Sequence, residues 1–248
     1  MVDGRLWFFM TNCRGEGDKL RAEILGKGDF GVADLPQIVV RTPMDARVSA
    51  DGVAVGSVGR SSSLTLHHGG CGSWTIANVE HELSLRNSGI GRIDAGTAGS
   101  ADIVLSGSGE MRVGAVANAL AARVSGSGLI SAASAGAADL TISGSGDVRT
   151  GSVTSGLKAT ISGSGNLDVE RLDGRLQARV SGVGKIRAPQ GSVTAMEARI
   201  SGSGDIDFGG VAQSLDAVVS GSGDVHVGEV TGTVTKHVSG SGEVRVGR

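Results

Sequence analysis

Apolar and polar residues alternate in short stretches along most of this chain, and each stretch ends at a glycine-rich tetrad. Leu120, Ala122 and Val124 run into one such tetrad, and Leu157, Ala159 and Ile161 into another. Leu176, Ala178 and Val180, then Leu215, Ala217 and Val219, repeat the arrangement. Two further alternating positions follow each tetrad: Val148 and Thr150, Leu167 and Val169, Ile206 and Phe208, Val225 and Val227. A third inward point is expected at Val153, Leu172, Val211 and Val230. Period-two alternation predicts strands with one buried face.

The tetrad Ser-Gly-x-Gly begins at Ser88, Ser106, Ser125, Ser143, Ser162, Ser181, Ser201, Ser220 and Ser239, at spacings of 18 to 20 residues. Worn copies stand at Gly69-Gly70-Cys71-Gly72 and Ser49-Ala50-Asp51-Gly52. Three short strands and a glycine corner in about 19 residues describe one turn of a coil. Stacked at ~4.8 Å per turn, about 10 or 11 coils form a rod of roughly 50 Å. The predicted fold is all-β: a single-stranded parallel β-helix over residues 44–248, preceded by a strand and loop region with irregular first coils over 1–43.

No coil can stand alone. The coil holding Ile206, Phe208, Val211, Leu215, Ala217 and Val219 buries about six side chains, on the order of 10 kcal/mol. Ordering its residues costs at least as much, so packing and hydrogen bonds between coils must supply the difference. The tetrad glycines continue the inward register as a structural corner: Gly89 and Gly91, Gly107 and Gly109, Gly126 and Gly128, Gly144 and Gly146, Gly163 and Gly165, Gly182 and Gly184, Gly202 and Gly204, Gly221 and Gly223, Gly240 and Gly242. A side chain there would crowd the corner or demand an unfavourable backbone. The serines face outward. Nine equivalent copies, none uniquely matched to a base, are structural and not a nucleophile.

Composition agrees with a narrow, aliphatic interior. Of 248 residues 43 are Gly and 3 Pro, with 4 Phe, 2 Trp and no Tyr. The glycines do not fall at every third position, which excludes collagen. A hydrophobic share of 39% and a mean hydropathy of +0.08 argue against disorder. No apolar run approaches the ~20 residues of a membrane span. The formal net charge of −2 gives no reason to expect nucleic acid or an anionic membrane as partner.

Candidate chemistry is sparse. Cys13 and Cys71 lie 58 positions apart, without the CxxC spacing of a zinc or redox site; they are a candidate disulfide only in an oxidising compartment. Leu6–Met10 is too short for the apolar core of an export signal. Gly26-Lys27-Gly28-Asp29-Phe30-Gly31 spells a dinucleotide fingerprint, but the Val-Ala-Asp-Leu-Pro that follows is no helix. His67 and His68 alternate faces and cannot share a metal; His68 falls inward beside Asn87, where a buried hydrogen-bonded pair is expected. After the tetrads come Glu110, Asp147, Asp205, Asp224 and Glu243, a column interrupted by Leu129, Asn166 and Lys185. It reads as solvated and not as a metal array. Asp205 and Asp207 share a face like a glycosidase dyad, with Lys185 and Arg187 beside them as ladder partners. Coils of uniform length leave almost no loops from which a cleft is built, so the expectation is no enzyme and no cofactor. Val244 and Val246 form the inward pair of the final coil, and an end-to-end interface for self-association is expected there.

The phrases Ser-Gly-Ser-Gly-Asp-Val (143–148, 220–225), Ser-Gly-Ser-Gly-Asp-Ile (201–206) and Ser-Gly-Ser-Gly-Glu-Val (239–244) resemble the head GIN domain proteins, a bacterial family labelled auto-transporter adhesin. The likeness covers about residues 38–248, and Asp-Gly-Arg-Leu-Trp-Phe at 3–8 is similar to that domain's earlier strands. It implies an exported protein, periplasmic, outer-membrane-associated or secreted, with right-handed coils and no catalytic residues. It also implies that residues 1–43 are an incomplete start of the domain. The function expected is a non-enzymatic envelope or surface module, an adhesin or scaffold with a glycan or protein ligand. A self-assembling polymer of the bactofilin type is the alternative, and a polysaccharide-active enzyme stands third.

Overall fold

The computed structural model describes residues 43–247 and three short strands before them, Cys13–Glu16, Lys19–Glu23 and Asp29–Phe30. Those three pair antiparallel, Cys13 opposite Ala22 and Ala22 opposite Phe30. Most of the glycine-rich spelling at 26–31, and the Leu6–Met10 stretch, lie outside the described residues. From Asp45 onward every strand pairs parallel with its counterpart one turn away, in one continuous solenoid of about 11 turns without a helix. The predicted parallel β-helix is therefore the fold.

The register follows the alternation. One interior column runs Leu64, Leu83, Ala101, Leu120, Ala138, Leu157, Leu176, Met196 and Leu215, each opposite the next and all buried. A second runs Ile93, Met111, Ile130, Val148, Leu167, Ile186, Ile206 and Val225. A one-residue slip would turn each of these columns to solvent, so the period and the fold specify each other. Phe208 is the largest fully buried side chain, and its room comes from small neighbours: Ala188 one coil below and Gly210, where a Cβ would stand 2.7 Å from Cζ of the ring. An interior this narrow explains the scarcity of aromatics.

Two segments depart from the expected register. Where Val211 was expected inward, Ala212 is buried and Val211 only half-buried. The ladder slips between Phe208 and Val211, and two coils earlier it slips after Gly174, whose φ is +101°. Val230 is likewise half-buried. In the middle of the rod, strands bend through the second corner unbroken, as in Glu110–Val124 and Asp147–Ile161. Later coils break at differing points: Ile186–Ala188 stops at Pro189, which has no N–H for the ladder, and Ile206–Ala212 stops short of Leu215–Val219.

The tetrad corner stays within the hydrogen-bond ladder. Ser143 N–H donates to the Val124 carbonyl at 2.8 Å, and Ser145 N–H to the Gly126 carbonyl at 3.1 Å. Its glycines are required by crowding and not by backbone conformation, because no φ in the nine tetrads is positive. A Cβ on Gly163 would lie 2.0 Å from the Gly144 carbonyl oxygen one coil below. The second glycine of each tetrad meets a side chain as well: Gly146 would touch Val124 Cγ1 at 2.7 Å, and Gly165 would touch Ile142 Cγ2 at 2.8 Å. The aliphatic residue before one tetrad is a knob seated in the hole left by the glycine of the next.

Candidate functional site

Chemistry is confined to the outer faces, where parallel stacking at one-coil intervals turns a repeated position into a ladder. The position after each tetrad is one. Asp147 Oδ1 accepts the Asn166 backbone N–H at 2.9 Å, and Asn166 Oδ1 accepts that of Lys185 at 3.3 Å. Asp205 Oδ1 accepts Asp224 N–H at 3.1 Å, and Asp224 Oδ1 accepts Glu243 N–H at 2.8 Å. The column expected to be merely solvated thus has work at the corner: short carboxylates and amides satisfy the next coil's N–H. A Glu at this position turns instead to the arginine two residues on, Glu110 to Arg112 and Glu243 to Arg245.

The second ladder runs Asp94, Arg112, Ser131, Arg149, Asp168, Arg187, Asp207, His226 and Arg245. Between the two ladders lies a shallow, open groove of about 460 Å³, lined by Asp147, Arg149, Asn166, Asp168, Lys185, Arg187 and Asp207. Most of its charges are engaged. Arg149 faces Asp168 at 4.0 Å, and Lys185 faces Asp205 at 3.9 Å. Asp207 receives His226 Nδ1 at 3.1 Å, so the partner it takes is His226 of the coil above, in place of the Arg187 expected beside it. Among the described residues Arg187 is the groove's cation with no carboxylate within ion-pair distance. Asp205 and Asp207 are each held separately, one by a backbone N–H and the other by an imidazole. That is the engagement of rungs in a ladder.

His68 and Asn87 are buried at adjacent coils, as the register predicts, but they do not form the expected pair. Asn87 Nδ2 donates to the Gly91 carbonyl at 2.8 Å, and its Oδ1 accepts Gly89 N–H at 3.0 Å. Its polar atoms are consumed by its own corner, which leaves neither ring nitrogen of His68 a hydrogen-bond partner. Burial lowers the His68 pKa from its ordinary value; the Ala50 carbonyl and the Asp51 carboxylate pull the other way and are outweighed. His226 is the opposite case. It lies between Asp207 and the Gly247 carbonyl, 3.0 Å from Nε2, and its pKa is raised, chiefly by the Asp207 hydrogen bond.

Cys71 is buried, while the side chain of Cys13, and with it the pairing of the two, lies outside the described residues. Val244 is buried, whereas Val246, expected inward beside it, is exposed. Beside them stands a residue the sequence reading passed over. Lys236, itself exposed, stands in register with the buried Ala217 one coil earlier, and its Nζ donates to the Val244 carbonyl at 2.9 Å. Counting 19 residues on from Ala217 locates it, since a charge breaks an otherwise aliphatic column. Among the described residues no three His, Cys, Asp or Glu side chains converge to hold a metal ion, and no helix is long and apolar enough to cross a membrane.

No curated protein and no solved structure matches the chain. Residues 153–247, the coils bearing the last five tetrads, match the family described as "Putative auto-transporter adhesin, head GIN domain", the resemblance that the Ser-Gly-Ser-Gly phrases carry.

Proposed function

We propose that the rod is a non-enzymatic binding module of the bacterial surface or envelope, in which the charged groove receives an anionic group of a surface glycan or protein. The observation that carries the reading is Arg187: a guanidinium lining an open groove whose other cations already face carboxylates. A planar guanidinium offers paired donors to a carboxylate or phosphate, and a polar, shallow groove suits a hydrated ligand. The family description names adhesion, which favours an exported or surface location. Coils of near-constant length support a binding surface over an enzyme, because catalytic groups need a concave wall built by loops.

The test is retention of purified protein on carboxylate-bearing and neutral bacterial surface polysaccharides. Arg187→Gln is expected to weaken retention on the acidic polymer about tenfold, the scale of one charge-assisted hydrogen bond, with no change on the neutral one. Equal retention of both proteins on every polymer overturns the reading. A second reading, end-to-end self-assembly through the coil of Val244 and Val246, is favoured by the exposure of Val234, Val238 and Val246 on that coil. Filaments by electron microscopy, lost in Val238→Lys, would establish it.

A further inference from the structure

Two of the rod's five histidines, His68 and His226, are built for opposite responses to protons. His68 lies 1% exposed in the interior column, in van der Waals contact with the corner glycine of the next coil, where a Cβ on Gly91 would stand 2.2 Å from Nε2. Neither ring nitrogen completes a hydrogen bond; the Ala50 carbonyl of the coil below is the acceptor that comes nearest to doing so. On the coil below it are Ala50 and the Asp51 carboxylate; above are Asn87 and Gly91, both uncharged; on the outer face are His67 and Arg86, themselves 3.4 Å apart. A second proton on His68 places a charge in an apolar interior, and the pull of the Ala50 carbonyl and the Asp51 carboxylate does not offset the loss of water. His226, half-exposed, has acceptors at both nitrogens, Asp207 Oδ1 and the Gly247 carbonyl, with Arg245 on the coil above as the opposing charge. A neutral imidazole donates once, so both bonds are complete only in the imidazolium.

We propose that acid opens the first coils of the rod, residues 45–76, through protonation of His68, while the last coil, clasped by protonated His226, stays closed. The sign follows from where each proton is bound more readily. The buried His68 binds it less readily in the folded chain, so the stability His68 confers is complete above pH 6.5, its unfolded value, and is lost as pH falls below it. His226 binds it more readily in the folded chain, so its contribution is complete below 6.5 and lost as pH rises through the higher folded value. Acidification therefore loosens one end and secures the other.

Hydrogen exchange of the intact chain, corrected for intrinsic rates, tests this segment by segment. Between pH 6.5 and about 5, opening of residues 45–76 is expected to rise by up to about tenfold per pH unit, with residues 225–247 unchanged or better protected. His68→Leu, which supplies an aliphatic knob like those of the corners from Leu105 onward, should abolish the rise. Acid-independent exchange at 45–76, or a rise that persists in His68→Leu, overturns the proposal. Should that variant fail to fold, nuclear magnetic resonance titration of the His68 ring in the unaltered chain decides: a midpoint at or above the ordinary value overturns it and one below supports it.

Discussion

The corners at His68 and Asn87 and the corners from Leu105 onward are the same joint fitted with different knobs. Leu105, Val124, Ile142, Ile161, Val180, Ile200 and Val219 are all buried, and each lies against the second glycine of the tetrad one coil beyond its own. His68 and Asn87 occupy the same column and lie against Gly91 and Gly109 in the same way. The hole is constant, set by backbone carbonyls that stack at one-coil intervals. What varies is whether the knob brings polar atoms that something must satisfy. Aliphatic knobs bring none, Asn87 spends its own on the turn that follows it, and His68 leaves both ring nitrogens without a completed hydrogen bond. Packing alone therefore accepts all three, and their energetic difference arises from hydrogen bonding.

The hole itself should be the most sensitive part. Gly146→Ala drives a Cβ to 2.3 Å from the Gly128 carbonyl oxygen and 2.7 Å from Val124 Cγ1. Backbone cannot retreat without breaking the ladder on both sides, so a loss of about 3 kcal/mol or more is expected. Gly59→Ala, with nothing within 4 Å of its Cβ, should change stability by less than about 0.5 kcal/mol. Urea unfolding of both proteins checks the contrast. Equal effects would mean that the tetrad glycines serve the chain's flexibility and not the close approach of coils.

Exchanging the knobs comes next in size. At neutral pH His68→Leu removes two unsatisfied buried nitrogens and should stabilise by about 1–3 kcal/mol. Asn87→Leu strips two bonds that are made and should destabilise by about 1 kcal/mol. Opposite signs at adjacent positions of one column are the expected outcome in thermal or urea melts. The same sign for both would show that shape, not hydrogen bonding, separates these corners from the rest.

The columns were legible because a period of 18–20 residues with internal alternation admits one way to bury the apolar set. Alternation alone places Leu120, Ala122 and Val124, and Ile206 and Phe208, inside. Val211 was misplaced because bulges obey local backbone geometry, at Gly174 and after Phe208, which alternation does not record. The His68–Asn87 pair failed for a related reason. Register brings two side chains to neighbouring coils but does not say which of several partners each amide will choose, and the corner's own backbone was nearer. On the outside even less was readable. Arg187 was visible as one rung of a charge ladder, whereas its want of a carboxylate depends on which way Asp168 and Asp207 lean.

The smallest effect separates two accounts of the outer ladders. Asp205 faces Lys185 at 3.9 Å and also accepts the Asp224 N–H at 3.1 Å. If the ion pair matters, Asp205→Asn and Asp205→Ala should cost alike, because both remove the charge. If the backbone bond matters, Asn keeps the acceptor, as Asn166 does two coils earlier, and only Ala loses it. Exposed ion pairs are worth ~0–1 kcal/mol and fade with salt, while an unanswered N–H at a corner costs about 1 kcal/mol. The expectation is a salt-independent loss of about 1 kcal/mol for Ala and less than about 0.5 kcal/mol for Asn, measured by urea melts at low and high ionic strength. That outcome would place the knob, the hole and the short side chain after the tetrad in one joint, each present because the next coil's backbone arrives at the same point.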